Sequence, residues 1–343
     1  MTHVASDAAR VAPTTFAGMA LISADDVART TSVAAAVDAL EAALRGGLDP
    51  ERDAPRSRLS TGTGELLIMP STLGTHSGIK VLSSTPGNRD LPLIQGAFLL
   101  FEGPGQRPAA VVDGIALTNL RTPAVSALAV RHLAAEDGRP ERLTVFGTGP
   151  QARAHALAML QVRDIADVSL VGRTPQSLER LAEEIARTGT PVRTYLSEEA
   201  AGAVTDADII CCCTSSPTPL FDGALVKDGA VVVAMGSHFP DTREVDDVLI
   251  SRSTVVVESR ASTLREAGDV VLPIASGVLR EEELLTLHGV VTGRAVPVGP
   301  GPRVFKGTGM PWEDLVVATA VHRAAGGTPA APSSRTGDSR DAS

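Results

Sequence analysis

Six consecutive residues, Gly147-Thr148-Gly149-Pro150-Gln151-Ala152, have the types and spacing that a dinucleotide phosphate needs. The first glycine permits a tight turn and the second lets backbone approach a pyrophosphate. The small Ala152 lets the following helix pack close to the preceding strand. Both flanks agree: Leu143–Phe146 reads as a strand, and Ala154, Leu157 and Ala158 recur at helical spacing after the loop. A helix start at this place aims free N–H groups and the positive end of its dipole at an anion. The plainer alternative is a glycine turn with no ligand, and the flanking strand and helix weigh against it. Where the next strand ends, the chain reads Val171-Gly172-Arg173-Thr174. An NAD-selective site has Asp or Glu near this point for the ribose 2′-hydroxyl. Here a guanidinium and a hydroxyl stand instead, groups that suit a 2′-phosphate. The sequence therefore favours NADP(H) and leaves NAD(H) possible, since an Arg173 stacked on the adenine would admit both.

Such a loop needs a parallel sheet around it. Leu143–Phe146, Val168–Val171, Asp208–Cys213, Val231–Met235 and Thr254–Val257 are short apolar runs. Between two of them Leu178, Leu181, Ala182 and Ile185 mark one helix face, with Thr174 as cap and Pro175 in the first turn. The alternation predicts an α/β fold of Rossmann type, a doubly wound parallel sheet buried on both faces. The first half differs. Ser23-Ala24-Asp25-Asp26 starts a helix, and Val33, Val37, Leu40 and Leu44 continue at helical spacing to Gly46-Gly47. Glu65–Met69, Ile79–Ser83, Ala97–Phe101 and Ala109–Val112 then read as closely spaced strands, which predicts a mixed α/β unit. Near the end, VFKGTGMPWEDLVVATAVHRAA predicts a turn and a helix packing back on that unit. The expected division is 16–122 with 302–326 as one domain and 123–301 as the dinucleotide domain. Polar tails at 1–15 and 327–343 read as disordered.

The bulk numbers set outer limits. A chain of 343 residues with 43% hydrophobic content can build two cores. A net charge of −9 argues against nucleic acid as a partner, and 3% aromatics leave no stacking platform for single strands. A few arginines can still make a local pocket for an anionic substrate. Cys211, Cys212 and Cys213 are adjacent, so neither a disulfide within the run nor a zinc spacing arises. They read as small buried apolar residues in a reducing cytoplasm. No run of about 18 apolar residues could span a membrane. With no basic segment ahead of an apolar N-terminal core, the chain is expected to be cytoplasmic, with no membrane partner.

Taken in order, several segments resemble the ornithine cyclodeaminase/mu-crystallin family. They are APRSR around Arg56, LLIMP at 66–70, GIKVLSSTPGN around Lys80 and ALTNLRTPAVSALA around Arg121. FGTGPQA, AMGSHFPDTRE around His238, EAGD at 266–269 and VFKGTGMPWED follow, so the similarity runs from about Arg56 to Asp314. The resemblance implies that a small imino or amino acid binds between a substrate-binding, dimerisation domain and the Rossmann domain, and that the protein is a homodimer. It also implies that Arg56, Lys80 and Arg121 hold the substrate carboxylate, with Arg58 competing for the place of Arg56. The chemistry agrees, since a guanidinium grips a carboxylate bidentately and lysine adds a point charge. Thr122-Pro123 reads as a cap and first-turn pair, so a helix start there would help Arg121 and Thr122 hold an anion or the cofactor. Gln95, Pro150, Gln151, Thr214 and Met235 carry over as cofactor contacts. Gly307 and Thr308 match a Ser-Val pair that touches cofactor and substrate, and Gly307 lacks that serine's hydroxyl.

One departure bears on the reaction. The cyclodeaminases carry Gly-Gly-Asp where this chain has Gly236-Ser237-His238, and a lysine where it has Thr242. The resemblance then leans toward the imino-acid (ketimine) reductases. Hydride transfer to the C=N carbon of a small 2-imino acid is expected, giving a 2-amino acid, with His238 and Lys80 as the catalytic pair. Histidine is a competent acid near neutral pH; the alternative is that His238 only lines the cleft. Ornithine or lysine cyclodeamination, dehydrogenation of an N-substituted amino acid, and a crystallin-like binding protein without turnover remain open at this stage.

Overall fold

The computed structural model describes residues 16–327 apart from Arg89, Leu91 and Glu136. The tails expected at 1–15 and 327–343 lie outside the described residues, save Gly327, whose N–H donates to His322 O.

Two sheets carry the described chain. The first contains β1 (Ala20–Ile22), β2 (Ser57–Thr61), β3 (Gly64–Leu73), β4 (His76–Ser84), β5 (Ile94–Glu102) and β6 (Arg107–Asp113), in the order β1-β6-β5-β4-β3-β2. All its pairs are antiparallel except β1 with β6. One face packs on the helices Gly114–Leu133 and Pro311–Ala324, and the helix Val33–Arg45 packs on those two. Register decides what faces them. Lys80 pairs with Met69 on one side and Phe98 on the other, and all three are buried. Strand alternation thus drives a lysine into the core, which an ammonium tolerates only with a partner.

The second sheet is all parallel. It holds β7 (Glu141–Phe146), β8 (Ile165–Gly172), β9 (Val192–Leu196), β10 (Ile209–Cys212), β11 (Val231–Ala234), β12 (Thr254–Val257), β13 (Leu285–Thr286) and β14 (Arg303–Lys306). Their order is β13-β12-β14-β11-β10-β7-β8-β9, the doubly wound arrangement expected, with its switch point between β7 and β10. Residues 209–212 and 231–234 are wholly buried, as strands covered on both faces must be. Cys211 and Cys212 sit there as free thiols, with burial pushing the Cys211 pKa up to about 12.

Three sequence expectations need correction. Residues 303–306 are not part of the first domain but a strand inserted between β11 and β12; the chain returns to the first sheet only with the helix Pro311–Ala324. No helix starts at Thr122-Pro123. A single helix runs from Gly114 to Leu133, capped by Asp113 on Ile115 N and Ala116 N, and the expected boundary at 122/123 falls inside it. Proline costs an internal helix about 3 kcal/mol. Residues 121–130 are all buried, and that burial outweighs the loss. Thr174 does occupy the N-cap of the helix Pro175–Ala186, but its side chain makes no capping bond. Among the described residues no helix is long and apolar enough to cross a membrane.

Candidate active site

Parallel strands end on one edge, so Gly147, Arg173, Thr214, Met235, Glu258 and Gly307 all follow carboxyl ends of the second sheet. The Gly147–Ala152 loop fits a dinucleotide. Gly147 has φ +107°, and a Cβ there would lie 2.6 Å from Cys213 O, so a side chain is excluded twice over. Gly149 faces open space and is the N-cap of the helix Pro150–Val162, whose start has no side-chain cap. Those free N–H groups are what a pyrophosphate would occupy. Nearby, Gln151 Oε1 and Thr122 Oγ1 are shut off from solvent without hydrogen-bond partners. Gln151 Nε2 is fixed by Asn119 Oδ1 at 2.8 Å.

Beside this loop a cavity of about 350 Å³ opens between the two sheets. Arg56, Lys80, Arg121, Thr122, Gln151, Met235, His238, Gly307 and Thr308 are among the residues that line it. Lys80 Nζ meets Asp314 at 2.6 and 2.8 Å and donates to Thr118 Oγ1 at 3.3 Å. Arg121 donates through Nε to Asp314 at 3.1 Å and through Nη1 to Glu313 at 2.9 Å. Arg56 gives both Nη2 hydrogens to Thr308 O and Gly309 O at 2.6 Å and pairs through Nε with Glu266 at 3.0 Å. Arg56 Nη1 and Arg121 Nη2 make no hydrogen bond among the described residues. Gly309, at φ +76°, makes room for the Arg121 guanidinium; a Cβ there would come within 2.7 Å of it.

Charge in this network follows burial. Lys80 is fully buried, and burial with the adjacent Arg121 outweighs Asp314, bringing its pKa down to about 8. Burial lowers Arg56 as well. For Arg121 burial works in the same direction, but Asp314, Glu313 and Glu258 overcome it and hold the guanidinium above its ordinary value. Glu313 is pushed well up by burial and by Glu258, and Arg121 works against that.

His238 projects from a pinned loop. Gly236 N–H donates to Glu244 at 2.6 Å, Ser237 O accepts from Lys306 Nζ at 2.8 Å, and Ser237 Oγ bonds Thr242. The ring is partly exposed to the cavity, yet Nδ1 is shielded and has no partner. Burial, then the charges of Lys306, Arg56, Arg121 and Arg58, hold the imidazole well below its usual pKa. The expectation of a ready acid near neutral pH is thereby corrected: without substrate, the ring is neutral.

Several expected residues stand apart from the cavity. Gln95 is exposed on β5. Thr214 is tied through N and Oγ1 to Glu244 at 2.8 Å, and Thr242 braces Ser237 from behind. Arg173 and Thr174 are exposed at the end of β8, where a 2′-phosphate would lie. Arg58 pairs with Glu65 and lies 5.4 Å from the Phe239 ring centroid, at the cavity wall. The acids Glu258, Glu266, Glu313 and Asp314 were not foreseen. EAGD and the WED of the last segment contain three of them, but Glu313 and Asp314, at a helix start, read first as dipole complements.

A doubly wound sheet with a phosphate loop at its switch point, opening on a cleft of arginines and a lysine, defines a dinucleotide-binding enzyme of Rossmann type. The chain belongs to the ornithine cyclodeaminase/mu-crystallin family, whose model matches residues 18–328. It is 36% identical over 221 residues to the Delta(1)-pyrroline-2-carboxylate reductase of Colwellia psychrerythraea, covering 64% of this chain and 69% of that one. It is 34% identical over 235 residues to the ketimine reductase mu-crystallin of Rattus norvegicus, covering 68% and 71%. Among solved structures, Thermococcus litoralis Delta(1)-pyrroline-2-carboxylate reductase in complex with NADH and L-proline matches with TM-score 0.82. That match covers 90% of this chain and 97% of the other at 27% identity.

Proposed function

We propose that this protein reduces a small 2-imino acid to a 2-amino acid with a nicotinamide dinucleotide, NADPH in preference to NADH. The observation that carries the reading is a single cavity. Its lining brings together Arg56 and Arg121, each with a nitrogen that makes no hydrogen bond among the described residues, Gln151 of the dinucleotide loop, and the His238 imidazole. Arg56 Nη1 and Arg121 Nη2 would take the substrate carboxylate, as charge-assisted bonds do. Lys80 and the neutral His238 are the polar groups that would stabilise or protonate the substrate nitrogen. The bound nicotinamide would supply the hydride, as in other cofactor enzymes. The reductases among the relatives support the reading. Oxidation of NADPH and NADH should be followed with pyrroline-2-carboxylate, piperideine-2-carboxylate, and pyruvate or glyoxylate with ammonia or methylamine. Turnover of at least one imine is expected. Ammonia released from ornithine, with no imine reduced, would make the protein a cyclodeaminase instead.

The cofactor preference rests on Arg173, which has no ion-pair partner among the described residues. Removing a charged hydrogen bond costs about 1.5–3 kcal/mol. Arg173→Ala should therefore weaken NADPH by roughly tenfold or more while leaving NADH nearly unchanged. Equal losses for both, measured by fluorescence titration, would assign the arginine to the adenine.

A homodimer formed through the first sheet is the assembly that the surface supports. The face turned away from the helices exposes Leu21 at 77%, Leu59 at 57% and Val81 at 37%. Apolar residues gathered on one sheet face mark an interface. Sedimentation should give a dimer, and Leu21→Glu with Val81→Glu a monomer; a monomeric unaltered protein at micromolar concentration would remove the proposal.

A further inference from the structure

A second cavity, of about 440 Å³, shares no lining residue with the catalytic one. Its walls come from the turn after the helix Val33–Arg45, the tip of the β3–β4 hairpin, the start of the helix Pro311–Ala324, and His288 and Arg294 beyond β13. Opposite charges face it. Asp53 accepts Trp312 N–H at 2.7 Å, but no cation pairs with it among the described residues. Burial, with Asp314 adding to it, pushes its carboxyl up to about 6. Arg294 is exposed, and its guanidinium has neither an ion pair nor a hydrogen bond among the described residues. Trp312 is 1% exposed, and its Nε1 is shut off from solvent with no partner; His288 Nε2 is in the same state. Native proteins seldom leave buried groups such as these two ring nitrogens unsatisfied, whereas the exposed Arg294 guanidinium is solvated and open to a ligand.

A carboxyl lacking a cation and a guanidinium lacking an anion, on one cavity, are complementary to a zwitterion. Asp49 and Arg52, also on its wall, pair with each other at 3.5 Å, which leaves Asp53 and Arg294 as its charges without an ion pair among the described residues. We propose that this cavity binds an α-amino acid as its zwitterion, the ammonium toward Asp53 and the carboxylate toward Arg294. The place is consequential. Trp312 directly precedes Glu313 and Asp314, which hold Arg121 and Lys80, so a ligand here bears on the helix start that fixes the catalytic cations. Binding itself does not depend on which reaction the other cavity performs.

Trp312 is the only tryptophan in the chain, so its fluorescence reports on this cavity directly. The full-length protein, without cofactor, is titrated with glycine, L-proline, L-aspartate and L-lysine in turn, and with acetate and methylammonium as half-charge controls. At least one amino acid should give a saturable change at millimolar concentration or below, and neither control should. Arg294→Ala and Asp53→Asn should each weaken that binding about tenfold, the effect of one charged hydrogen bond. Asparagine keeps an acceptor for Trp312 N–H, so the fold is spared. An undiminished response in both variants would put the amino acid in the catalytic cavity and end the proposal. So would an equal response to acetate, which would make this an anion site, or no response to any of the four.

Discussion

Lys80→Met should abolish turnover, with a loss in kcat/KM of at least roughly tenfold to a few hundredfold, the range of one or two charged hydrogen bonds. Lys80 is fully buried, lines the catalytic cavity and is held by Asp314 and Thr118. Its removal leaves the Asp314 carboxylate buried opposite only Arg121, and breaking a buried ion pair costs about 3–5 kcal/mol of stability. Lost activity could then merely report lost folding. Lys80→Met with Asp314→Asn separates the two: it removes both charges, should melt closer to the unaltered protein, and should still be inactive. Arg121→Met should show a similar loss, because Arg121 lines the cavity and its Nη2 makes no hydrogen bond among the described residues. Unchanged kinetics in Lys80→Met and Arg121→Met would take both residues out of the site.

The same lysine sets a pH dependence. Its pKa of about 8 means that the ammonium is present below that pH and lost above it. Since kcat/KM reports groups of the free enzyme, it should fall as pH rises through about 8. In Lys80→Arg the guanidinium does not titrate in this range, so the fall should vanish whatever the residual rate. A purely structural lysine would leave the limb in place.

What could be read ahead of the structure was local. The phosphate loop is contiguous, its strand and helix are adjacent in sequence, and each carries its own periodicity. The cations Lys80 and Arg121 were legible through resemblance, but their acids were not. Lys80 and Asp314 meet only because β4 and the helix Pro311–Ala324 pack together from opposite ends of the chain. Residues 303–306 are too short an apolar run to announce a strand, and only the parallel pairing with β11 and β12 identifies them. Thr122-Pro123 misled because cap and first-turn residues also occur inside a helix when tertiary burial carries it past the proline. The state of His238 is likewise a long-range property. Lys306 and Arg56 come from β14 and from the approach to β2, and nothing beside Gly236-Ser237-His238 in sequence foretells them.

His238→Ala should lower kcat for imine reduction by about 10²–10⁴-fold, the usual contribution of a positioned proton donor, with little change in NADPH affinity. The depressed pKa of the ring refines how that effect arises. A neutral imidazole still has one N–H to donate, and its free Nδ1 shows that one ring nitrogen is uncommitted to the protein. Four cations depress its pKa, and a bound substrate carboxylate would offset them, raising the pKa as the complex forms. The acidic limb of kcat, which reports the complex, should then lie at higher pH than that of kcat/KM. His238→Asn keeps an N–H donor and cannot titrate. If orientation of the substrate nitrogen is the whole role, it should recover much of the rate and lose the difference between the two profiles. If the ring itself delivers the proton, it should be as slow as alanine. His238→Asp restores the acid of the cyclodeaminases and, with Thr242→Lys, tests whether ornithine can be deaminated. Full imine reduction by His238→Ala, with an unaltered pH profile, would leave the histidine a lining residue and pass the proton to Lys80 or water.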